Sequence, residues 1–247
     1  MKILVCISSV PDTTSKINFT ADKSAFDKNG IQWVINPLDE FALSKAVKLQ
    51  EQGATVTVIN VGDATTEPVI RKALAIGAND AIRINIEPKD SYSVAKEIAN
   101  IAQSGSYDLI LCGKESIDYN GGAVPGMVAQ LLNLPFVNAC VGLEVNDGEA
   151  KAVREIEGGK ETISVKLPAV IAGQKGMVDE KDLIIPNMRG IMSARTKSLQ
   201  VNEPVNTEVR VEAVSYDAVP ARAAVKMVTP DNLDELVRLL HEEAKVI

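Results

Sequence analysis

The sequence predicts an α/β protein built on a mostly parallel, doubly wound sheet, with antiparallel hairpin additions and an extended C-terminal arm. Three observations predict it. Short apolar runs ending in glycine or a polar residue alternate with amphipathic segments from Lys2 to Leu132, the rhythm of strands buried between helices. After Asn133-Leu134-Pro135 the rhythm changes to apolar–polar alternation broken by Asp147-Gly148 and Gly158-Gly159, as in hairpins. From Val201 to Val225 the chain is polar, extended and punctuated by Pro204 and Pro220.

Each element has a local reason. Lys2 to Ser8 is an apolar strand. Asn36-Pro37-Leu38-Asp39 opens a helix through about residue 51, with Asn36 placed to cap, Pro37 in the first turn and Asp39 complementing the dipole. Ala54 to Val61, rich in β-branched residues, is the next strand. Thr66 to Ile76 is a helix stopped by Gly77. Ala81 to Ile86 is a strand, Ser91 to Ala102 a helix and Asp108 to Cys112 a strand. Ala123 to Leu132 forms the following helix. Val137 to Val145, Ala150 to Ile156 and Glu161 to Leu167 are expected as hairpin strands, and Ala169 to Ala172 as one more apolar strand. Residues 185–200 hold a helix-like segment, and a last helix from about 231 to 244 is expected behind a Thr229 cap. The expected division is a core over 1–200 and an arm over 201–247.

Composition narrows the function. The net charge of −7 and the absence of a basic cluster argue against nucleic acid or an anionic membrane surface. No apolar run approaches the roughly 20 residues of a membrane span, and the apolar start is too short for a signal peptide. Cys6, Cys112 and Cys140 sit in apolar runs and are expected as core thiols of a cytoplasmic protein. The one histidine, His241, lies in a charged stretch near the C-terminus, which argues against histidine-based triads. Chemistry is therefore expected to rest on a bound cofactor.

The most informative stretch is Gly113-Lys114-Glu115-Ser116-Ile117-Asp118-Tyr119-Asn120-Gly121-Gly122. It joins a buried strand to a helix opened by small residues, an arrangement that offers unpaired backbone N–H groups and a positive dipole end to a phosphate. Gly121 and Gly122 are expected to let the backbone approach an anion closely. Neither the Walker nor the Gly-x-Gly-x-x-Gly pattern is present. In an open parallel sheet, ligands bind beyond the strand carboxyl ends at the switch point. Four segments would meet there: Cys6 to Ser9, Asn36 to Asp39, Val61 to Asp63, and Gly113 to Val124. Asp39, Asp63 and Asp118 could reach ribose hydroxyls. With only 4% aromatic residues, a base would be held by backbone groups and aliphatic side chains.

These residues resemble the β subunit of the electron-transfer flavoproteins. The resemblance is carried by Asn36-Pro37-Leu38-Asp39-Glu40-Phe41-Ala42, by Ile70 to Ala78, by Gly113 to Asp118, and by Val153 to Ile163 followed by Lys166-Leu167-Pro168-Ala169-Val170. It covers nearly the whole chain and implies a Rossmann-like, adenine-nucleotide-binding fold. It further implies a heterodimer with a larger α subunit that holds most of a redox-active FAD. The β subunit is then an electron carrier and no enzyme, with a structural AMP. Electrons arrive from acyl-CoA dehydrogenases of fatty acid oxidation or related flavin dehydrogenases and leave to a membrane quinone oxidoreductase.

Carried over by position, the nucleotide contacts fall on Cys6, Asn36, Pro37, Leu38, Asp39, Val61, Gly113, Asp118, Asn120, Gly121, Gly122, Ala123 and Val124. Thr13 and Leu38 fall near the flavin. Partner docking falls on about Gly176 to Ser198, with Met188 as apolar anchor beside Ile191 and Met192, and Gly190 suited to a mobile segment. The chain departs from the family pattern at Tyr119 to Ala123, where further polar residues and a glutamine are usual. It departs again at Met177 to Asp182, and at Ser8, where lysine is common. Two alternatives stand beside the AMP reading: a bifurcating member with FAD in place of AMP, and a stand-alone nucleotide-binding stress or signalling module.

Overall fold

The computed structural model describes residues 1–205, 208–222 and 224–247; residues 206, 207 and 223 of the expected arm lie outside the described residues. Its strands are β1 (Lys2–Cys6), β2 (Ser9–Pro11), β3 (Trp33–Ile35), β4 (Thr55–Val61), β5 (Asp80–Ile84), β6 (Leu109–Gly113), β7 (Phe136–Asn146), β8 (Glu149–Ile156), β9 (Gly159–Lys166), β10 (Ala169–Gly173) and β11 (Leu199–Asn202). Its helices are α1 (Pro37–Lys48), α2 (Glu67–Ile76), α3 (Ser91–Gly105), α4 (Val124–Leu132), α5 (Met188–Ala194) and α6 (Leu233–Arg238).

The main sheet has the order β11-β5-β4-β1-β6-β10-β7-β8-β9, parallel from β11 to β7 and antiparallel beyond. Alternation along β1 explains the layers. Ile3, Val5 and Ile7 face a core cluster shared with Phe41, Ala42 and Leu43 of α1 and Ile70 and Leu74 of α2. Leu4 and Cys6 face the other cluster, with Ile98 of α3 and Val128 of α4. Apolar groups on both faces of one strand demand helices on both sides, and the expected doubly wound fold follows. From β1 the chain works outward through β4 and β5, then returns by α3 to β6 on the other side of β1. The switch point therefore lies between the carboxyl ends of β1 and β6.

Two strands do more than the sequence pattern indicates. β7 begins as a parallel neighbour of β10, with Phe136 and Val137 paired to Val170 and Ile171, and ends as a hairpin partner of β8. The change falls at a bulge near Cys140, where Ala139 takes a left-handed φ of 54°. β11 runs across the expected boundary at 200/201 and pairs in parallel with β5. Lys197 donates to the carbonyls of Leu74 and Ala78, and Arg71 to those of Ala194 and Lys197, fastening the approach to β11 against α2.

Beyond β11 the chain stays on this unit through Val214. The Val205 amide donates to Glu97, those of Arg210 and Val211 to Asp90, and the Arg210 guanidinium lies 3.9 Å above the Tyr92 ring. The second compact unit joins residues 18–26 to 215–247. In it, Phe19 stacks on Tyr216 with centroids 5.3 Å apart, and Lys23 pairs with Asp217 at 2.5 Å. Its terminal helix is capped by Asn232, whose Oδ1 accepts from the Glu235 amide, three residues past the expected Thr229. Among the described residues, no helix is long and apolar enough to cross a membrane.

α1 can meet the end of β6 only because residue 113 is glycine. A Cβ there would stand 2.9 Å from both the Asp39 amide nitrogen and the Leu38 Cβ, and closer still to the Asp39 carboxyl. Gly113→Ala is expected to destabilise the fold by about 1–3 kcal/mol. In thermal unfolding that appears as a Tm lower by several degrees; an unchanged Tm would show that α1 and β6 can separate freely.

Candidate functional site

The site is organised by one carboxyl group. Asp39, in the first turn of α1, is buried, and accepts the Ser8 amide beyond β1 and the Gly113 amide at the end of β6, each at 2.8 Å. It thus bridges the two strands that flank the switch point. Removal from water pushes its pKa up to about 7, against the opposing pull of these two N–H donors. Asn36 works beside it. Its backbone carbonyl accepts the Asp39 and Glu40 amides to start the helix. Its side chain, expected as a cap, makes no capping bond. The amide instead donates to the Glu115 carbonyl at 2.8 Å and accepts the Ile117 N–H at 3.2 Å, which fixes the base of the 113–124 loop. A carboxamide offers an NH2 group to donate and a carbonyl oxygen to accept, and the loop backbone presents the complement of each.

The loop then closes on itself. Ser116 and Gly121 exchange both backbone hydrogen bonds, and the left-handed residue of the turn is Asn120, with φ 50°. Neither Gly121 nor Gly122 has a positive φ; a Cβ on Gly121 would meet nothing within 4 Å, and one on Gly122 would lie 3.4 Å from the Lys114 carbonyl. Gly121 donates its N–H to the Ser116 carbonyl. Among the described residues, the amides of Gly122, Ala123, Val124 and Gly126 meet no acceptor, and Pro125 has no N–H to satisfy. Four amides at the start of α4 thus have no protein acceptor, as the first turn of a helix leaves them.

The remaining expected residues divide. Cys6 is buried at the end of β1 with its thiol on the α3–α4 face. Pro37 and Leu38 are half-buried in the first turn of α1, while Thr13 is exposed in the turn after β2. Val61 packs against the core cluster that holds Cys6 and Cys112, and borders a small hollow with Ile86, Ser93 and Val209; the side-chain amide of its neighbour Asn60 donates to the Ile7 carbonyl at 2.9 Å. Asp63 and Asp118 are occupied locally: Asp63 accepts from Thr65, and Asp118 from Tyr119 N–H and the Ser116 hydroxyl. Asp39 accepts the Ser8 and Gly113 amides, one on each oxygen, and the bonds to Asp63 and Asp118 fall on Oδ1 of each. Of the residues that hold the site, Asn60 lies outside the four segments expected to meet there. Asn60, a polar residue inside the apolar run Val56 to Val61, was the available signal.

Met188, Ile191 and Met192 lie on α5 with exposed side chains, Met188 at 74%. Around Gly190 the packing is close: a Cβ there would collide with the Ala75 carbonyl oxygen of α2. Glycine here lets two helices touch.

The Asp39 bridge sets a pH dependence. Its folded pKa of about 7 exceeds the ordinary value of about 3.9. Between these values the folded chain holds the extra proton, so stability falls as pH rises from about 4 to about 7. Asp39→Asn keeps one acceptor but turns an NH2 group toward one of the two amides, and is expected to cost about 1–3 kcal/mol. Urea midpoints of both proteins at pH 5 and pH 8 check this; the gap between them should narrow at pH 8, and a constant gap would remove Asp39 as the titrating group.

Comparison with known proteins places this geometry. Residues 24–205 match the family described as electron transfer flavoprotein domain. The chain is 33% identical to the electron transfer flavoprotein subunit beta of Bacillus subtilis (strain 168), with both chains covered in full. It is 33% identical to that of Syntrophomonas wolfei, over 91% of this chain and 88% of the relative, and 31% identical to that of Homo sapiens, over 94% and 95%. With its doubly wound sheet and a helix N-terminus open at the switch point, the chain belongs to the electron transfer flavoprotein family, on the β-subunit side.

Proposed function

We propose that this chain is the small subunit of a cytoplasmic, heterodimeric electron carrier that takes electrons from flavin dehydrogenases, such as acyl-CoA dehydrogenases, and passes them to a membrane quinone oxidoreductase. FAD held mainly by the larger α subunit carries the electrons. This chain holds an AMP that does no chemistry, and acts as a carrier subunit rather than an enzyme. The observation that carries the nucleotide reading is the set of four free amides at the start of α4, beside the Asp39 bridge. Neutral donors and a helix dipole suit a phosphate monoester, and Lys114, half-buried at the foot of the loop, is the cation within it. The buried, free thiols of Cys6, Cys112 and Cys140 fit a reducing compartment.

Two surfaces support the partner reading. Residues 215–247 expose Val219, Val225, Met227 and Leu233, a concentration of apolar groups that a larger subunit would cover. Met188 and Met192 stand outward on α5, which is fastened to α2. Their small, firm apolar footprint suits brief encounters with a dehydrogenase.

Mass spectrometry of the ligand released from the purified heterodimer is expected to find AMP; FAD recovered in twofold excess over heterodimer would favour the bifurcating alternative. Gly122→Asp brings a carboxylate to the free amides without steric conflict, and is expected to lower bound nucleotide at least about tenfold, whereas Gly122→Ala retains it. Equal nucleotide content in both variants would move the phosphate elsewhere.

Deleting 215–247 is expected to abolish heterodimer formation on size-exclusion chromatography. Met188→Ala should leave heterodimer and flavin intact while raising the Michaelis constant with the dehydrogenase several-fold. The reverse pattern, a split heterodimer in Met188→Ala and an intact one after the deletion, would exchange the two assignments.

A further inference from the structure

Two thiols to which the electron-carrier reading assigns no redox chemistry sit side by side at the switch point. Val5 pairs with Leu111 across the parallel β1–β6 ladder, so Cys6 and Cys112 come next along the same two strands. Both side chains lie on the face covered by α3 and α4, packed with Leu4, Ile110 and Val128. Adjacent strands run about 4.8 Å apart, within the roughly 4.4–6.8 Å that Cα atoms span in disulfides. Side chains at neighbouring positions of a parallel pair point the same way, so the sulfurs meet without a backbone turn. Cys140 is set apart on the opposite core cluster, with its thiol on the Gly142 carbonyl.

The neighbours of this pair give it leverage. Cys112 directly precedes Gly113, and Cys6 lies two residues before Ser8. Gly113 and Ser8 supply the two amides that Asp39 holds. A bond between the sulfurs draws the two strand ends together on one face of the sheet, while Asp39 spans them on the other.

We propose that Cys6 and Cys112 form a reversible oxidation site, closed to a disulfide by a small two-electron oxidant of the peroxide class, and that closure loosens the Asp39 bridge and the nucleotide site built on it. Cys6 reacts first. The Cys112 thiol is held back by its contact with Cys6, by burial and by the Asp39 charge, all of which push its pKa up. The Cys6 sulfur attacks one peroxide oxygen, the S–O bond forms, the O–O bond breaks, and the departing oxygen takes the thiol proton as water. The Cys112 sulfur then attacks the Cys6 sulfenic acid; the S–S bond forms, the S–O bond breaks, and hydroxide leaves with the Cys112 proton as a second water. Two thiols lose two electrons and one peroxide is reduced to two waters.

The test uses the reduced, desalted heterodimer treated with hydrogen peroxide, then alkylated and digested without reduction. A cross-linked peptide joining Cys6 to Cys112 is expected, with Cys140 alkylated, and dithiothreitol should reverse it. The oxidised protein should release its nucleotide several-fold faster and unfold at a lower Tm than the reduced one. Cys112→Ala should give no cross-link and no accelerated release; Cys112→Ser serves the same comparison if that variant folds poorly. Recovery of both cysteines alkylated, or a cross-link through Cys140, would overturn the site. A Cys6–Cys112 cross-link that leaves Tm and nucleotide release unchanged would overturn its coupling to Asp39. The coupling rests on the nucleotide reading only for the release measurement. An untreated heterodimer without nucleotide would defeat that reading alone, and the Tm difference would then decide the coupling.

Discussion

The carboxyl of Asp39 is the constraint on which the rest of the site depends. Parallel ladders leave backbone amides unpaired where the strands run out, and buried amides must find acceptors. At the switch point the amides of Ser8 and Gly113 find them in one side chain. That side chain reaches both strands only if the first turn of α1 lies directly over the sheet, which requires Gly113 beneath it. With α1 seated there, Asn36 falls beside the 113–124 loop and holds it by both ends of its carboxamide. The placement of α4 and its free amides thus follows from a bond made two elements away.

Legibility in the sequence divided along the same line. The alternation of strands and helices could be read because it is enforced locally: burial on two faces demands runs such as Ile3 to Val5 and Leu109 to Cys112, and Pro37 and Gly77 mark where helices begin and end. The hairpins β7–β8 and β8–β9 were legible from Asp147-Gly148 and Gly158-Gly159 for the same reason. The parallel pairing of β7 was not, because it depends on β10, a strand that arrives later in the chain. β11 has four residues and alternates weakly, so only its docking beside β5 makes it a strand.

Side-chain roles followed the same division. Asn36 and Asp39 have the residue types and spacing of a helix start, and a helix does start there. Their side chains nevertheless serve partners 31 to 81 residues away, a distance over which local pattern carries no information. Gly121 and Gly122 suggested an anion site by composition. The donors that remain free there are the first amides of α4, which have no acceptor within the helix, and glycine content does not reveal them.

The sheet order has a consequence for how this molecule meets others. Its two outer strands are β11 and β9. β11 is short, and Pro204, which has no N–H to offer, follows within two residues of its end. β9 carries Lys160, Glu161 and Lys166 along its length. Brevity, proline and charge at the margins are the features that discourage another chain from joining a sheet as an extra strand. The nine-stranded sheet is therefore poorly suited to edge-to-edge growth or amyloid-like stacking, despite its long apolar interior, and association is left to side-chain surfaces rather than to its backbone.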